Sequence, residues 1–186
     1  MDWRALKNIH EIGVRVKNKI LADTFLDVFE TDWKLCEENR SGLTFNSVNR
    51  HISAADPLLL NSENYGKIAI YPAFSPPEIN LSGLSSEEEE LLKWISFAED
   101  SLLIQMYSYS PKAKNEKKYY DKIDKALREA ASRNVKIKII FSDWAIKDLA
   151  TDFIKELSKV NNIEVKFSSI PEYSGGFIPY SRVEPC

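Results

Sequence analysis

The chain has 186 residues, 44% hydrophobic and 28% charged, values ordinary for one globular domain with a real core. Its net charge of -3 excludes the strong global field that draws nucleic acid to a protein surface. Its cysteines, Cys36 and Cys186, make neither a disulfide framework nor a zinc spacing, and no window of about 18 apolar residues is available to span a membrane.

The N-terminus, Met1-Asp2-Trp3-Arg4-Ala5-Leu6-Lys7, lacks the apolar core of a signal peptide. Asp2 is placed to cap a short helix with Leu6 and Ile9 on its inner face, ended by Gly13. Val14 and Val16 suggest a short strand. A longer helix follows from about Ile20 to Glu37, with Leu21, Phe25, Val28, Phe29, Trp33 and Cys36 as its apolar stripe. Asp23, Asp27, Glu30 and Asp32 then face water, and Cys36 reads as a small core residue.

Residues 39 to 64 read as an irregular surface segment with room for short strands, the apolar run being Leu58-Leu59-Leu60. His51 lies within it and reads as a polar surface residue, because no second histidine stands at a ligand spacing. Lys67-Ile68-Ala69-Ile70-Tyr71 is a strand that must leave the sheet at Pro72. Ser85 with Glu88, or Ser86 with Glu89, has capping-box spacing, and Glu87 to Glu90 complement the positive end of the helix dipole. This acidic cluster is helix-start chemistry rather than a metal site, and the sequence calls for no metal and no cofactor. Leu91, Leu92 and Ile95 carry that helix toward the next strand.

From Leu102 to Trp144 the pattern is strand, helix, strand. Leu102 to Tyr109 is apolar and ends at Pro111. Tyr120, Ile123, Leu127, Ala130 and Ala131 recur at helical spacing, and Val135 to Phe141 is a second β-rich run. Parallel strands joined through a helix form a βαβ unit with a right-handed crossover. A further helix, about Lys147 to Val160, and the alternating strand Ile163 to Phe167 repeat the pattern. The fold class is therefore α/β with a mainly parallel βαβ sheet. Ile178 to Val183 looks like the approach to one more strand. A helix at the first residue, a strand cut off at the last and about four or five strands in all suggest a piece of a larger fold.

In an open parallel sheet, ligands sit beyond the carboxyl ends of the strands. Those ends give the candidate substrate-pocket residues Ser75, Tyr109, Asp143 and Trp144. Aromatic packing is the alternative for Tyr109 and Trp144, and a cap or loop role for Asp143. Basic residues crowd Lys112 to Lys138. Asp121 with Lys125 and Asp124 with Arg128 are i,i+4 pairs on a solvated helix face; the sharper reading is a phosphate-attracting surface. Asn39-Arg40-Ser41 and Asn80-Leu81-Ser82 are glycosylation acceptors, relevant only in a lumen.

Five stretches together resemble the phospholipase D superfamily, in the animal endolysosomal and ER branch that includes phospholipases D three, four and five. Asp2-Trp3-Arg4-Ala5-Leu6 followed by Gly13-Val14 resembles the segment after that family's first catalytic motif. Ser75-Pro76-Pro77 resembles its strand-end Ser-Pro turn, and Tyr109-Ser110-Pro111 its Tyr-x-Pro element. Ser142-x-Trp144 and Ile178-Pro179-Tyr180-Ser181-Arg182-Val183 resemble its later strands. The resemblance implies a partial phospholipase D-type α/β sandwich, incomplete at both ends. Residues 1–66 would hold the end of the first half and an irregular linker. Residues 67–186 would hold the second half, truncated before its catalytic motif.

The family chemistry is phosphodiester hydrolysis by two His-x-Lys-x4-Asp motifs, one per half. One histidine attacks phosphorus and forms a phosphohistidine; the other protonates the leaving oxygen and then activates water. The lysines stabilise phosphoryl charge. His10 is followed by Glu11 and Ile12, and His51 by Ile52 and Ser53, so neither histidine has lysine two residues on. By spacing, Pro185 stands where the second histidine would fall. The family cysteines near the start of the long helix have no counterpart in Lys17 to Leu21. No catalytic residue is carried over.

The expectation is a fragment or truncated isoform of a phospholipase D-like phosphodiesterase, inactive alone. The parent would act on phospholipid or single-stranded nucleic acid. The alternative is a non-catalytic interaction module that pairs with a full-length homologue or binds anionic surfaces. The family resemblance implies a luminal ER or endolysosomal setting for the parent.

Overall fold

The computed structural model describes residues 14–36, 50–76, 81–107, 109, 111, 120–142 and 150–168. The expected helix at residues 2–13, the approach strand 178–183, both glycosylation acceptors, Asp143 and Trp144 lie outside them. The chain divides into two compact units, one of residues Arg15–Leu91 and one carrying Leu92 onward.

Residues 14–18 form no strand, correcting the expectation for Val14 and Val16. Helix α1 is Lys19–Leu35. Asn18 is its N-cap, with extended backbone and a side chain that accepts from the Leu21 N–H at 2.9 Å. Lys34 in the last turn complements the dipole.

The buried face of α1 keeps Leu21 of the expected stripe, with Val28 half-buried, but not its aromatic residues. Leu21, Thr24 and Thr31 are buried, while Phe25, Phe29 and Trp33 are 52%, 56% and 61% exposed. Polar pairing decides the face. Thr24 Oγ1 donates to the Ile20 carbonyl at 2.9 Å and accepts the buried Ile52 N–H at 3.0 Å. An apolar side chain at position 24 would leave that N–H without a partner. Thr31 donates to the Asp27 carbonyl in the same way. Cys36 is exposed, not a core residue. His51 is not a surface residue: its ring is buried against Asp27, which therefore does not simply face water.

Strands β1 (Leu58–Ser62) and β2 (Gly66–Ile70) form an antiparallel hairpin, pairing Leu58 with Ile70 and Ser62 with Gly66. Gly66 turns it at φ 69°, where a side chain would be strained. Strands β3 (Ala73–Phe74) and β4 (Ser85–Ser86) are a short parallel pair. Helix α2 is Glu87–Phe97, with all four glutamates in its first turn. Of the two capping serines, Ser86 takes the role, its Oγ lying 3.5 Å from the Glu89 N–H. Ser85 instead accepts the Ala54 N–H at 2.8 Å.

The second unit is the βαβαβ array that the sequence patterns predict. Strands β5 (Ser101–Met106), β6 (Lys136–Phe141) and β7 (Ile163–Phe167) form one parallel sheet in that order. Helices α3 (Lys122–Ser132) and α4 (Ala150–Ser158) connect them. The register runs Leu102 to Ile137 to Ile163, and Met106 to Phe141 to Phe167.

The core lies on one face of this sheet. Leu127, Ala130, Val135, Ile137, Ile139, Phe141, Ile154 and Leu157 are buried there in one cluster, each large member worth about 1.5–3 kcal/mol on burial. The opposite face carries Leu103, Lys138, Ile140, Glu164 and Lys166, all exposed. The α-to-β turns share a device: Asn134 and Asn162 follow α3 and α4 at φ 70° and 68°, the left-handed conformation that asparagine tolerates. Arg133 reaches back to α2, donating to the carbonyls of Ile95, Ser96 and Ala98 at 3.0–3.4 Å and satisfying groups at that helix end.

Candidate functional site

The carboxyl ends of β5, β6 and β7 point the same way, so the residues that follow them share one end of the sheet. Tyr109 follows β5. It is buried, and its ring lies 5.7 Å from that of Phe141. Its hydroxyl donates to Asp124 Oδ1 on α3 at 2.5 Å. Arg128, one turn on, donates Nε to Asp124 Oδ2 at 2.6 Å and Nη2 to Oδ1 at 3.3 Å. The backbone closes beside this network, the Tyr120 N–H donating to the Pro111 carbonyl at 2.7 Å.

The electrostatics follow from that geometry. Burial, then the hydrogen bond to Asp124 and its negative charge, push the Tyr109 phenol well above its ordinary range. Burial works against a charged Asp124, but the Arg128 and Tyr109 hydrogen bonds and the Arg128 charge outweigh it and hold the carboxyl below its usual value. Arg128 is raised, chiefly by its hydrogen bond to Asp124. A phenol held neutral against a carboxylate is a poor proton acceptor, and this network braces the strand end rather than offering a base.

The expected i,i+4 pairs both form, Asp121 with Lys125 at 2.9 Å and Asp124 with Arg128 at 2.6 Å. Sequence spacing reveals the Asp124–Arg128 pair as a surface feature; the third partner, Tyr109, comes from tertiary packing. Of the two strand-end serines, Ser142 falls in the Ser142-x-Trp144 stretch that the sequence marks, whereas Ser168 is missed by sequence patterns. Ser142 is fully buried, and Ser168 has a buried hydroxyl with no partner. For Ser168 the signal in the sequence is a polar residue one position beyond a β-rich run.

Ser75 is exposed, follows β3 and precedes Pro76 through a cis peptide bond. It belongs to the first unit, whereas Tyr109 belongs to the second. His51 Nε2 lies 2.9 Å from Asp27 Oδ2. Its side chain is 6% exposed, so the ring ties the segment after residue 50 to α1. Arg50 and Asp56 close that segment with two side-chain hydrogen bonds at 2.5 and 2.6 Å. Among the described residues, no group of three metal-ligating side chains is assembled, and no helix is long and apolar enough to cross a membrane.

A parallel βαβαβ array with polar residues at its strand ends is shared by many α/β enzymes, and comparison with known proteins narrows the class. Residues 1–171 match the family model described as PLD3/4, PLD-like domain. The chain belongs to this phospholipase D-like family, a family of phosphodiesterases. It is similar to phospholipase D Y of Dictyostelium discoideum, 27% identical over 98% of this chain and 48% of the relative. It is similar to the 5'-3' exonuclease PLD3 of Xenopus laevis, 28% identical over 98% of this chain and 40% of the relative. The vaccinia virus virion nicking-joining enzyme is 28% identical over 98% of this chain and 45% of its own length. The chain thus spans less than half the length of these relatives.

Proposed function

We propose that this chain is the stretch of a phospholipase D-like phosphodiesterase that lies between the two catalytic motifs, a scaffold without phosphodiesterase activity of its own. The carrying observation is the state of its two histidines. Neither His10 nor His51 has lysine two residues on. His51 is also engaged by Asp27, with its ring almost wholly buried. Attack on phosphorus and protonation of the leaving oxygen need two histidines flanking one phosphoryl group. A single ring sealed into a helix contact supplies neither step.

The scaffold reading gives the described residues a job. Strands β5 to β7 fix the strand ends, and the Tyr109–Asp124–Arg128 network holds the segment leaving β5 against α3. The parent reaction is cleavage of a phosphodiester. Relatives named as an exonuclease and as a nicking-joining enzyme favour a nucleic-acid strand over phospholipid as the parent substrate. The test is turnover of bis-p-nitrophenyl phosphate and of short single-stranded DNA by the purified chain. No turnover is expected; turnover that survives combined His10→Ala and His51→Ala substitution overturns the proposal.

A second reading is favoured by the outward face of α1. Phe25, Leu26, Phe29 and Trp33 are each more than half exposed, a costly display for a surface helix. An interaction module would bury them by pairing with a full-length homologue. A chain that stays monomeric, ignores such a homologue and does not bind heparin argues against that role.

A further inference from the structure

The parallel sheet of the second unit packs its core on one face, and on the other Leu103 is 80% exposed and Ile140 is exposed beside it. Parallel sheets normally have both faces covered. Side chains alternate along a strand, so the register sets this open face row by row. Lys136 stands in the first row, Leu103, Lys138 and Glu164 in the second, and Gln105, Ile140 and Lys166 in the third. Leu103 and Ile140 are diagonal neighbours, close enough to form one apolar patch. Lys138 stands directly opposite Glu164. Among the described residues of this face, that leaves Lys136 and Lys166 as an excess of positive charge around the patch.

The same chain carries a surface of the opposite character. On α2, Leu91, Trp94 and Phe97 recur at three-residue spacing along one side, each about half exposed or more. The Trp94 and Phe97 rings meet edge to face at 6.3 Å. Glu87 to Glu90 fill the first turn ahead of this stripe, against one lysine, Lys93, whose Nζ lies 5.7 Å from the Trp94 ring. The inner side of α2 places Ile95 in the core cluster, so the stripe and the open sheet face are separate surfaces. Eleven helical residues extend about 16 Å, close to the roughly 20 Å of a six-residue strand.

We propose that the open sheet face binds α2 of a second copy of this chain. Leu91, Trp94 and Phe97 pack on Leu103 and Ile140, and the glutamates face Lys136 and Lys166. Charge selects this occupant. Two open faces brought together would set lysine against lysine, and two α2 stripes would set glutamate against glutamate; like charges across an interface are unfavourable. Pairing the unlike surfaces joins opposite charges and supplies the helix layer that the bare face of a parallel sheet lacks. Such a contact is heterologous, so each copy keeps one free surface of either kind and the chains add head to tail. The inference is independent of the phosphodiesterase reading and uses a surface other than the α1 ridge.

The test is sedimentation velocity of the purified full chain from micromolar to millimolar concentration, at low and high salt. The sedimentation coefficient should climb past that of a dimer as concentration rises, and added salt should weaken the association. Two variants each remove one surface at exposed positions. One carries Lys136→Glu with Lys166→Glu on the sheet, the other Trp94→Ser with Phe97→Ser on α2. Each alone should associate at least about tenfold more weakly, the scale of losing a central anchor. Mixed one to one, they should form a dimer that grows no further, because the first keeps its α2 and the second its sheet face. Recovery in the mixture also shows that both variants fold. A wild-type chain that stays monomeric at every concentration overturns the proposal. So does association that both variants retain, which would assign it to another surface such as the α1 ridge. A mixture of the two variants, each with a cooperative thermal transition, that fails to dimerise also overturns it, because unlike surfaces then do not pair.

Discussion

The Tyr109 hydroxyl donates to Asp124 Oδ1 at 2.5 Å, tying the segment that leaves β5 to the first turn of α3. Removing that hydroxyl with Tyr109→Phe keeps the ring packing against Phe141 and leaves Asp124 its pair with Arg128. The expected loss is about 1.5–3 kcal/mol, the range for a hydrogen bond to a charged group. Asp124→Ala should cost more, about 2–4 kcal/mol, because the buried phenol and Arg128 both lose their partner. Urea unfolding of the two variants checks the order.

The same network gives stability two pH limits. Asp124 is held below its ordinary value in the folded chain. Its contribution is therefore present above the unfolded carboxylate value of about 3.9 and is lost as pH falls through the lower folded value. Tyr109 is raised. Its contribution is full below the unfolded phenol value of about 10 and is lost as pH rises from there toward the folded value. Unfolding free energy measured against pH should show both limbs. Asp124→Asn should flatten the acid limb and Tyr109→Phe the alkaline one; limbs unchanged in the variants would remove Tyr109 and Asp124 as their source.

On α1 the polar residue is the structural one. Thr24→Val adds an apolar group at a fully buried position but strands the Ile52 N–H, and should cost about 1–3 kcal/mol. Phe29→Ser removes a large apolar side chain from an exposed position and should change stability by less than about 0.5 kcal/mol. Thermal unfolding of the pair tests whether Thr24 or the aromatic ridge faces the core; the reverse order would restore the ridge to the interior.

His51→Phe keeps ring volume but removes one partner of Asp27. A carboxylate with a side chain only 20% exposed then loses this hydrogen bond, at an expected cost of about 1–3 kcal/mol. Adding Asp27→Asn to His51→Phe should recover part of that loss, because a neutral amide is less costly than a carboxylate that has lost this hydrogen bond. Additive losses in the double-mutant cycle would show that the two side chains do not interact.

The second unit was legible because its signals are local. Alternation along Val135 to Phe141, helical spacing through Leu127 and Ala130, and the run Ile163 to Phe167 each name one element and one inward face. The first unit was less so. On α1 the aromatic residues satisfy the helical period better than Thr24 and Thr31 do, but periodicity cannot register that Ile52, 28 residues away, needs an acceptor. His51 looked like a surface residue for the same reason, its partner Asp27 being 24 positions distant. Tyr109 was legible as a strand-end residue, while its engagement with Asp124 depends on where α3 returns. Ser168 was invisible, since an unpaired hydroxyl is a property of the fold and not of a serine.

The most direct measurement is phosphodiester turnover by the purified chain, read on bis-p-nitrophenyl phosphate and on short single-stranded DNA, beside the His10→Ala/His51→Ala chain. A scaffold without its own nucleophile gives the buffer rate for both proteins on both substrates. Turnover that rises with chain concentration and persists in the double variant would contradict the account, because it would place a working nucleophile among residues other than the two histidines.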